Sequence, residues 1–124
     1  SGNTTFSNWA DFKTMVESVS APTISASTLT LDLSNSTIFN VNLNSSITTL
    51  TISNAPSTSN KATGFILILT ADGTARTISW PASVYWPNGL APTITSTNNK
   101  RDIITMFTTD NGTSYNAFIT GQNI

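Results

Sequence analysis

Six side chains in this sequence could do acid–base chemistry: Asp11, Glu17, Asp32, Asp72, Asp102 and Asp110. They stand in a chain without histidine or cysteine. The lack of histidine removes the commonest general base and the commonest transition-metal ligand together. The lack of cysteine excludes disulfides and thiolate-held zinc. A Ser-His-Asp set cannot be assembled, however abundant serine and threonine are. A glycosidase would need two carboxylates flanking a sugar bond. Asp72 and Asp110 sit in turn contexts, where aspartate caps its own backbone. Asp11 and Glu17 fall in a stretch with helical spacing. Asp32 and Asp102 interrupt strand-like runs, where an outward-facing or ion-paired residue accounts for both. Asp110-Asn111-Gly112 carries part of a calcium loop, but the full Asp-x-Asp-x-Asp-Gly spacing is missing, so it reads as a hairpin turn. No glycine-rich phosphate loop is present. The expectation is a protein that is not an enzyme and uses no metal or cofactor.

One small-ligand chemistry survives this survey. Tyr85, Trp86 and Asn88 share a loop, and aromatic faces beside a neutral amide suit the stacking and hydrogen bonding of a sugar. The same aromatics would serve equally as core or interface.

The elements that must position these residues read as strands. Phe65 to Leu69 is continuously apolar, as in a strand buried on both faces or set between the core and a partner. Asp72-Gly73 signals a reversal, and Arg76 to Trp80 alternates polar and apolar up to Pro81. This predicts a hairpin whose apolar arm is the centre of the core. Upstream, Leu29, Leu31 and Leu33 alternate with polar residues, as do Phe39, Val41 and Leu43. Leu50 and Ile52 follow, and the likeness among these three segments is one of binary pattern, not of repeat. Downstream, Asp102 to Thr109 and Tyr115 to Thr120 flank Asp110-Asn111-Gly112 as a second hairpin. About eight short strands with turn signals between them predict a mainly β fold, an antiparallel sandwich or jelly roll.

The first part of the chain differs. Asn8 is placed as an N-cap, with Asp11 in the first turn. Trp9, Phe12, Val16 and Val19 recur at spacings of three and four, which predicts a short helix ended by Ala21-Pro22. The organisation expected is therefore an arm over 1–27 and a β-domain over 28–124. The arm's apolar stripe must pack on one end of that domain or dock on a neighbouring protein.

Composition narrows the partners. Only 9% of residues are charged, against 38% hydrophobic, and the net charge is -1. No basic patch exists to neutralise a phosphate backbone or an anionic membrane, so neither nucleic acid nor membrane is an expected partner. The longest apolar run is too short to span a bilayer as a helix. No secretory leader is visible, and Ser1 fits removal of an initiator methionine or a processed chain.

Three segments in order carry a resemblance. They are Leu29-Thr30-Leu31-Asp32-Leu33-Ser34 with Phe39-Asn40-Val41-Asn42-Leu43; Thr70-Ala71-Asp72-Gly73-Thr74 to Ser79-Trp80; and Trp86-Pro87-Asn88-Gly89, Ala91-Pro92-Thr93, then Asp102-Ile103-Ile104-Thr105. Together they resemble a β-domain of tailed-phage virion proteins, found in capsid-decoration and fibre-like proteins. The resemblance runs from about residue 28 to the C-terminus and leaves out the arm. It implies a structural protein at the virion surface, a homotrimer, with the major capsid protein or another virion protein as partner. The leading expectation is capsid decoration or cement docking through the arm. The alternative is a tail-fibre or receptor-binding module for host glycans. The residues expected at a docking or oligomer interface are Trp9, Phe12, Val16, Val19, Phe65 and Leu67; those expected at a glycan are Tyr85, Trp86 and Asn88.

Overall fold

The computed structural model describes residues 4–124; the first three residues of the expected arm lie outside the described part. The chain is mainly strand, and its elements in order are β1 (Val19–Ser20), β2 (Thr28–Asp32), β3 (Ile38–Leu43), β4 (Thr49–Ser53), β5 (Thr63–Ala71), β6 (Val84–Tyr85), a single 3-10 turn (Pro87–Gly89), β7 (Arg101–Thr108) and β8 (Tyr115–Gly121). Six strands form one mixed sheet in the order β1-β3-β5-β7-β8-β6, and β2 and β4 form a second, two-stranded sheet.

From β1 to β5 the chain alternates between the two sheets, and each return lays a strand parallel to the one before. Thus β2 pairs with β4 in parallel, β1 with β3, and β3 with β5. The path is a short parallel coil. Its successive rungs stack Thr28 on Thr49, Leu29 on Leu50 and Leu31 on Ile52. A third line of contact is the parallel bridge between Ile47 and Ile78. The likeness of the leucine-bearing segments is therefore structural as well as binary: two of them are adjacent rungs. The expected all-antiparallel sandwich is replaced by parallel pairing in this half. Among the strand pairs of the described residues, only β5–β7 and β7–β8 are antiparallel.

Inward side chains of both sheets meet in one core. Leu29, Leu31 and Leu50 face Phe39, Val41, Leu43, Phe65, Leu67 and Leu69, and β7 and β8 add Ile104, Met106, Tyr115 and Ala117. Phe65 sits at the middle of an aromatic chain, edge-on to Phe39 and to Tyr115, each at 5.9 Å. Edge-to-face packing of this kind adds roughly 0.5–1.5 kcal/mol per pair beyond area burial.

The hairpin predicted over residues 65–80 does not form. Asp72-Gly73 does turn the chain: Gly73 has φ 89°, and Asp72 Oδ1 accepts the Thr74 amide at 3.1 Å. But β5 has two edges, and β3 and β7 occupy both. Residues 76–80 therefore leave the sheet, and Ile78 closes the coil against Ile47, accepting none of β5's hydrogen bonds. The Asp110-Asn111-Gly112 hairpin does form, with Asn111 at φ 60° and Gly112 at φ 83° joining β7 to β8.

No helix precedes β1 among the described residues; residues 4–18 run as irregular chain. A helix of three turns is marginal in water unless its apolar stripe packs, and here nothing covers the stripe. The segment is bonded to the body at its C-terminal end, and farther up Thr4, Phe6 and Ala10 share a cavity wall with Pro56, Thr58 and Lys61 of the β4–β5 loop. Glu17 accepts from the Thr37 hydroxyl, the Ser18 carbonyl accepts from the Ser36 hydroxyl, and β1 pairs with β3.

Candidate docking surface

Four of the carboxylates, Asp32, Asp72, Asp102 and Asp110, hold nearby backbone and side-chain donors. Asp32 closes a corner of the coil: its Oδ1 accepts from the Ser34 amide at 2.9 Å and from the Asn54 side chain at 2.8 Å. Asn54 lies at the matching corner of the next rung, in a left-handed conformation (φ 57°). The Asn54 and Ser34 hydrogen bonds hold the Asp32 carboxyl below its ordinary pKa. Asp72 is lowered by Arg76, whose Nη2 lies 2.6 Å away in the one ion pair among the described residues. Asp110 is lowered by Ser114, which donates through both hydroxyl (2.6 Å) and amide (2.9 Å).

Asp102 is almost fully buried. Its Oδ2 accepts the Thr95 amide at 2.7 Å and its Oδ1 the Asn123 amide at 3.0 Å, so it ties β7 to the preceding loop and to the C-terminal tail. Asp32 and Asp102 thus each satisfy backbone or amide donors, which is what a strand carboxylate needs in order to leave bulk water. Among the described residues no group of carboxylates is gathered as a metal site would require.

What stands out instead is apolar surface on the N-terminal segment. Trp9 is 96% exposed and Val16 90%, with Met15, Phe12, Val19 and Phe6 each more than half exposed. Phe6 and Phe12 touch edge-on at 6.2 Å, but no core element covers either. Scattered exposed apolar residues are ordinary, whereas six along one segment are an unusual concentration of apolar surface in water. Four of them (Trp9, Phe12, Val16 and Val19) are among those the helical spacing singled out. Phe6 precedes the expected N-cap Asn8, and Met15, although three residues from Phe12 and four from Val19, was not singled out; both are exposed like the other four.

The two central residues expected at an interface lie elsewhere. Phe65 and Leu67 are buried in the chain's own core, so their side chains cannot face a partner. Within the same run the outward positions are Ile66 and Ile68, which are half-buried on the outer face of the sheet. A strand's period of two puts only alternate residues on a face, and the parity of this uninterrupted apolar run was not readable from pattern.

The aromatic loop is divided. Tyr85 is 60% exposed, whereas Trp86 is half-buried against Trp80, ring centroids 5.0 Å apart. The Trp86 indole N–H is buried and meets no acceptor. Asn88 is exposed at the left-handed position of the 3-10 turn (φ 56°). Of the two aromatics expected at a glycan, only Tyr85 presents most of its side chain to solvent. Beside this loop Trp86, Pro87, Leu90, Pro92 and Phe118 line an apolar groove of about 370 Å³. Leu90 is 73% exposed on its rim, and Phe118 stacks on Phe107, both of them exposed. The groove lies along β8, beside the β6 edge of the sheet, whereas residues 4–10 of the N-terminal segment lie beside the loop that precedes β5. No charged side chain lines the groove.

No family model matches the chain, and neither a curated protein nor a solved structure matches it.

Proposed function

We propose that this protein is a non-enzymatic structural component of a tailed-phage virion, a decoration or cement protein that attaches to its neighbours through the N-terminal segment. The observation that supports this reading most is the unpartnered arm, with Trp9 and Val16 almost wholly in water. Leaving a tryptophan exposed forfeits roughly 2–3 kcal/mol that burial would return, a cost that makes sense where a neighbour supplies the other surface. Asp32, Asp72 and Asp110 serve corners and turns and Asp102 ties a loop and the tail to β7, an arrangement that accords with a binding role. The assignment to a phage virion rests on the resemblance in the three β segments, and homotrimeric assembly comes with it.

The test is localisation combined with truncation. Labelled antibody against the chain should decorate the heads of intact virions in electron micrographs. Deleting residues 4–18 should abolish attachment while leaving the β-domain folded. Label confined to tail fibres would replace cementing with recognition. Full occupancy by the truncated chain would remove the arm from the mechanism.

A further inference from the structure

We propose that the open edge of β8 takes an extended, uncharged peptide segment of a partner protein as an added strand, with one apolar side chain of that segment seated in the groove beside Trp86. This surface is separate from the N-terminal segment, and the proposal does not depend on the docking role given to that segment.

Three observations carry it. The first is where the groove lies. Phe118 and Ile119 both line it. Consecutive strand residues point to opposite faces of a sheet, and here Ile119 packs toward the core while Phe118 stacks on the exposed Phe107. A hollow walled by both therefore runs across the edge of β8, not over one face.

The second is the state of that edge. β6 covers β8 only as far as the pair Tyr85 and Asn116. Pro87 has no amide hydrogen with which to continue the ladder. Beyond it the chain coils, the Gly89 amide donating to the Trp86 carbonyl at 2.9 Å and the Leu90 amide to the Pro87 carbonyl at 3.1 Å. The Tyr115 amide donates to the Ser83 carbonyl at 2.8 Å, which fixes the parity of β8. Ala117 and Ile119 turn their backbone groups to the same edge as Tyr115, while Asn116 and Phe118 turn theirs toward β7. Among the described residues, no strand pairs with Ile119 on that edge, and no backbone bond joins it to residues 86–93. An uncovered strand edge accepts another strand through its free backbone groups.

The third is the chemistry of the walls. Trp86, Pro87, Leu90 and Pro92 are apolar, and no charged side chain lines the groove. A charged side chain entering it would lose water without gaining a partner, whereas an aliphatic or aromatic one fits a hollow of about 370 Å³. The edge thus sets the extended shape of the partner segment, and the walls select an uncharged side chain at one position. The contact is a few residues long, which suits a transient association.

The test titrates isotope-labelled protein with acetylated, amidated pentapeptides of the form Ser-Thr-x-Thr-Ser, where x is leucine, phenylalanine, tryptophan or aspartate. The three apolar peptides should shift the amide resonances of Ala117, Phe118 and Ile119. At saturation they should slow hydrogen exchange at the Ile119 amide about tenfold. The aspartate peptide should bind at least about tenfold more weakly. Methylating the central amide nitrogens of the apolar peptides keeps the side chains but removes donors, and should weaken binding about tenfold. Leu90→Asp alters a rim residue that is 73% exposed and should abolish binding with Tm unchanged. The proposal is overturned if no apolar peptide shifts these resonances at millimolar concentration. Shifts confined to Trp86 and Leu90, with Ile119 exchange unaltered, would leave a hollow for small apolar molecules and no strand site. Equal binding by the methylated peptides, by the aspartate peptide or by Leu90→Asp would equally refute it.

Discussion

Replacing Asp102 tests whether a strand carboxylate that could have passed for a catalytic residue is a structural tie. Its two oxygens each accept one backbone amide, from Thr95 at 2.7 Å and Asn123 at 3.0 Å. Hydrogen bonds to a charged group contribute about 1.5–3 kcal/mol each. The low end applies, because Thr95 is half-buried and Asn123 exposed, so water can replace part of what is lost. Asp102→Ala should therefore cost about 3 kcal/mol. Asp102→Asn keeps one acceptor and turns an NH2 group toward the other amide, and should cost about 1.5 kcal/mol. For a chain of this size the alanine variant should lose on the order of 10 °C in Tm. Urea unfolding monitored by tryptophan fluorescence reads the first quantity, and hydrogen exchange reads the site. Exchange at the Thr95 and Asn123 amides should accelerate before any core amide does, because the loop and the tail are released first. The tail is otherwise held by the paired backbone bonds between Arg101 and Ile124 and by Gln122 donating to the Thr93 carbonyl. If both variants unfolded within about 0.5 kcal/mol of the parent, well below one charged hydrogen bond, the tie would carry no stability and the reasoning would be refuted.

Further expectations concern the core, the turns and pH. Leu67→Ala, at a fully buried position in the central strand, should cost about 3–4 kcal/mol in denaturant unfolding; a loss below about 1 kcal/mol would mean the core collapses around the cavity. Gly112→Ala should destabilise by more than about 1 kcal/mol, because the position has φ 83° and an added Cβ would lie 2.7 Å from Ala55 Cβ. The carboxyls of Asp32, Asp72 and Asp110 are all lowered in the fold. Their contribution is complete above the unfolded carboxyl pKa of about 3.9 and is lost as pH falls through the folded values. With no histidine to titrate, Tm should stay level between about pH 5 and 8 and drop below about pH 4; a marked slope near pH 6.5 would contradict this.

Much of the local structure was legible because it depends on neighbours in sequence. Alternation in Leu29–Leu33 and Phe39–Leu43 marked β2 and β3 and, apart from the half-buried Leu33, the residues they bury. Asp110-Asn111-Gly112 marked the β7–β8 turn, since left-handed φ is a property of single residues. The apolar residues of the N-terminal segment stood out in the sequence, but the helix expected there does not form: helical spacing becomes a helix only when the stripe has something to pack on. The absence of histidine, cysteine and a basic patch bounded the chemistry without any fold at all.

Pairing lay beyond reach. A two-residue period is the same in parallel and antiparallel strands, so nothing local distinguished a sandwich from a coil whose β2 and β4 stack rung on rung. The hairpin after Asp72-Gly73 failed for a reason no turn residue records: β7, some thirty residues on, takes the edge that Arg76–Trp80 would have used. The same nonlocal choice set the parity of the Phe65–Leu69 run, sending Phe65 and Leu67 inward and Ile66 and Ile68 outward. The groove beside Trp86 exists because β8 brings Phe118 against a loop that precedes it by a full hairpin. Composition, turns and burial periodicity are local and were decided by the sequence itself. Strand partners, the facing of a uniformly apolar strand and the walls of the groove are decided by which distant segments compete for two hydrogen-bonding edges, and only the tertiary structure resolves that competition.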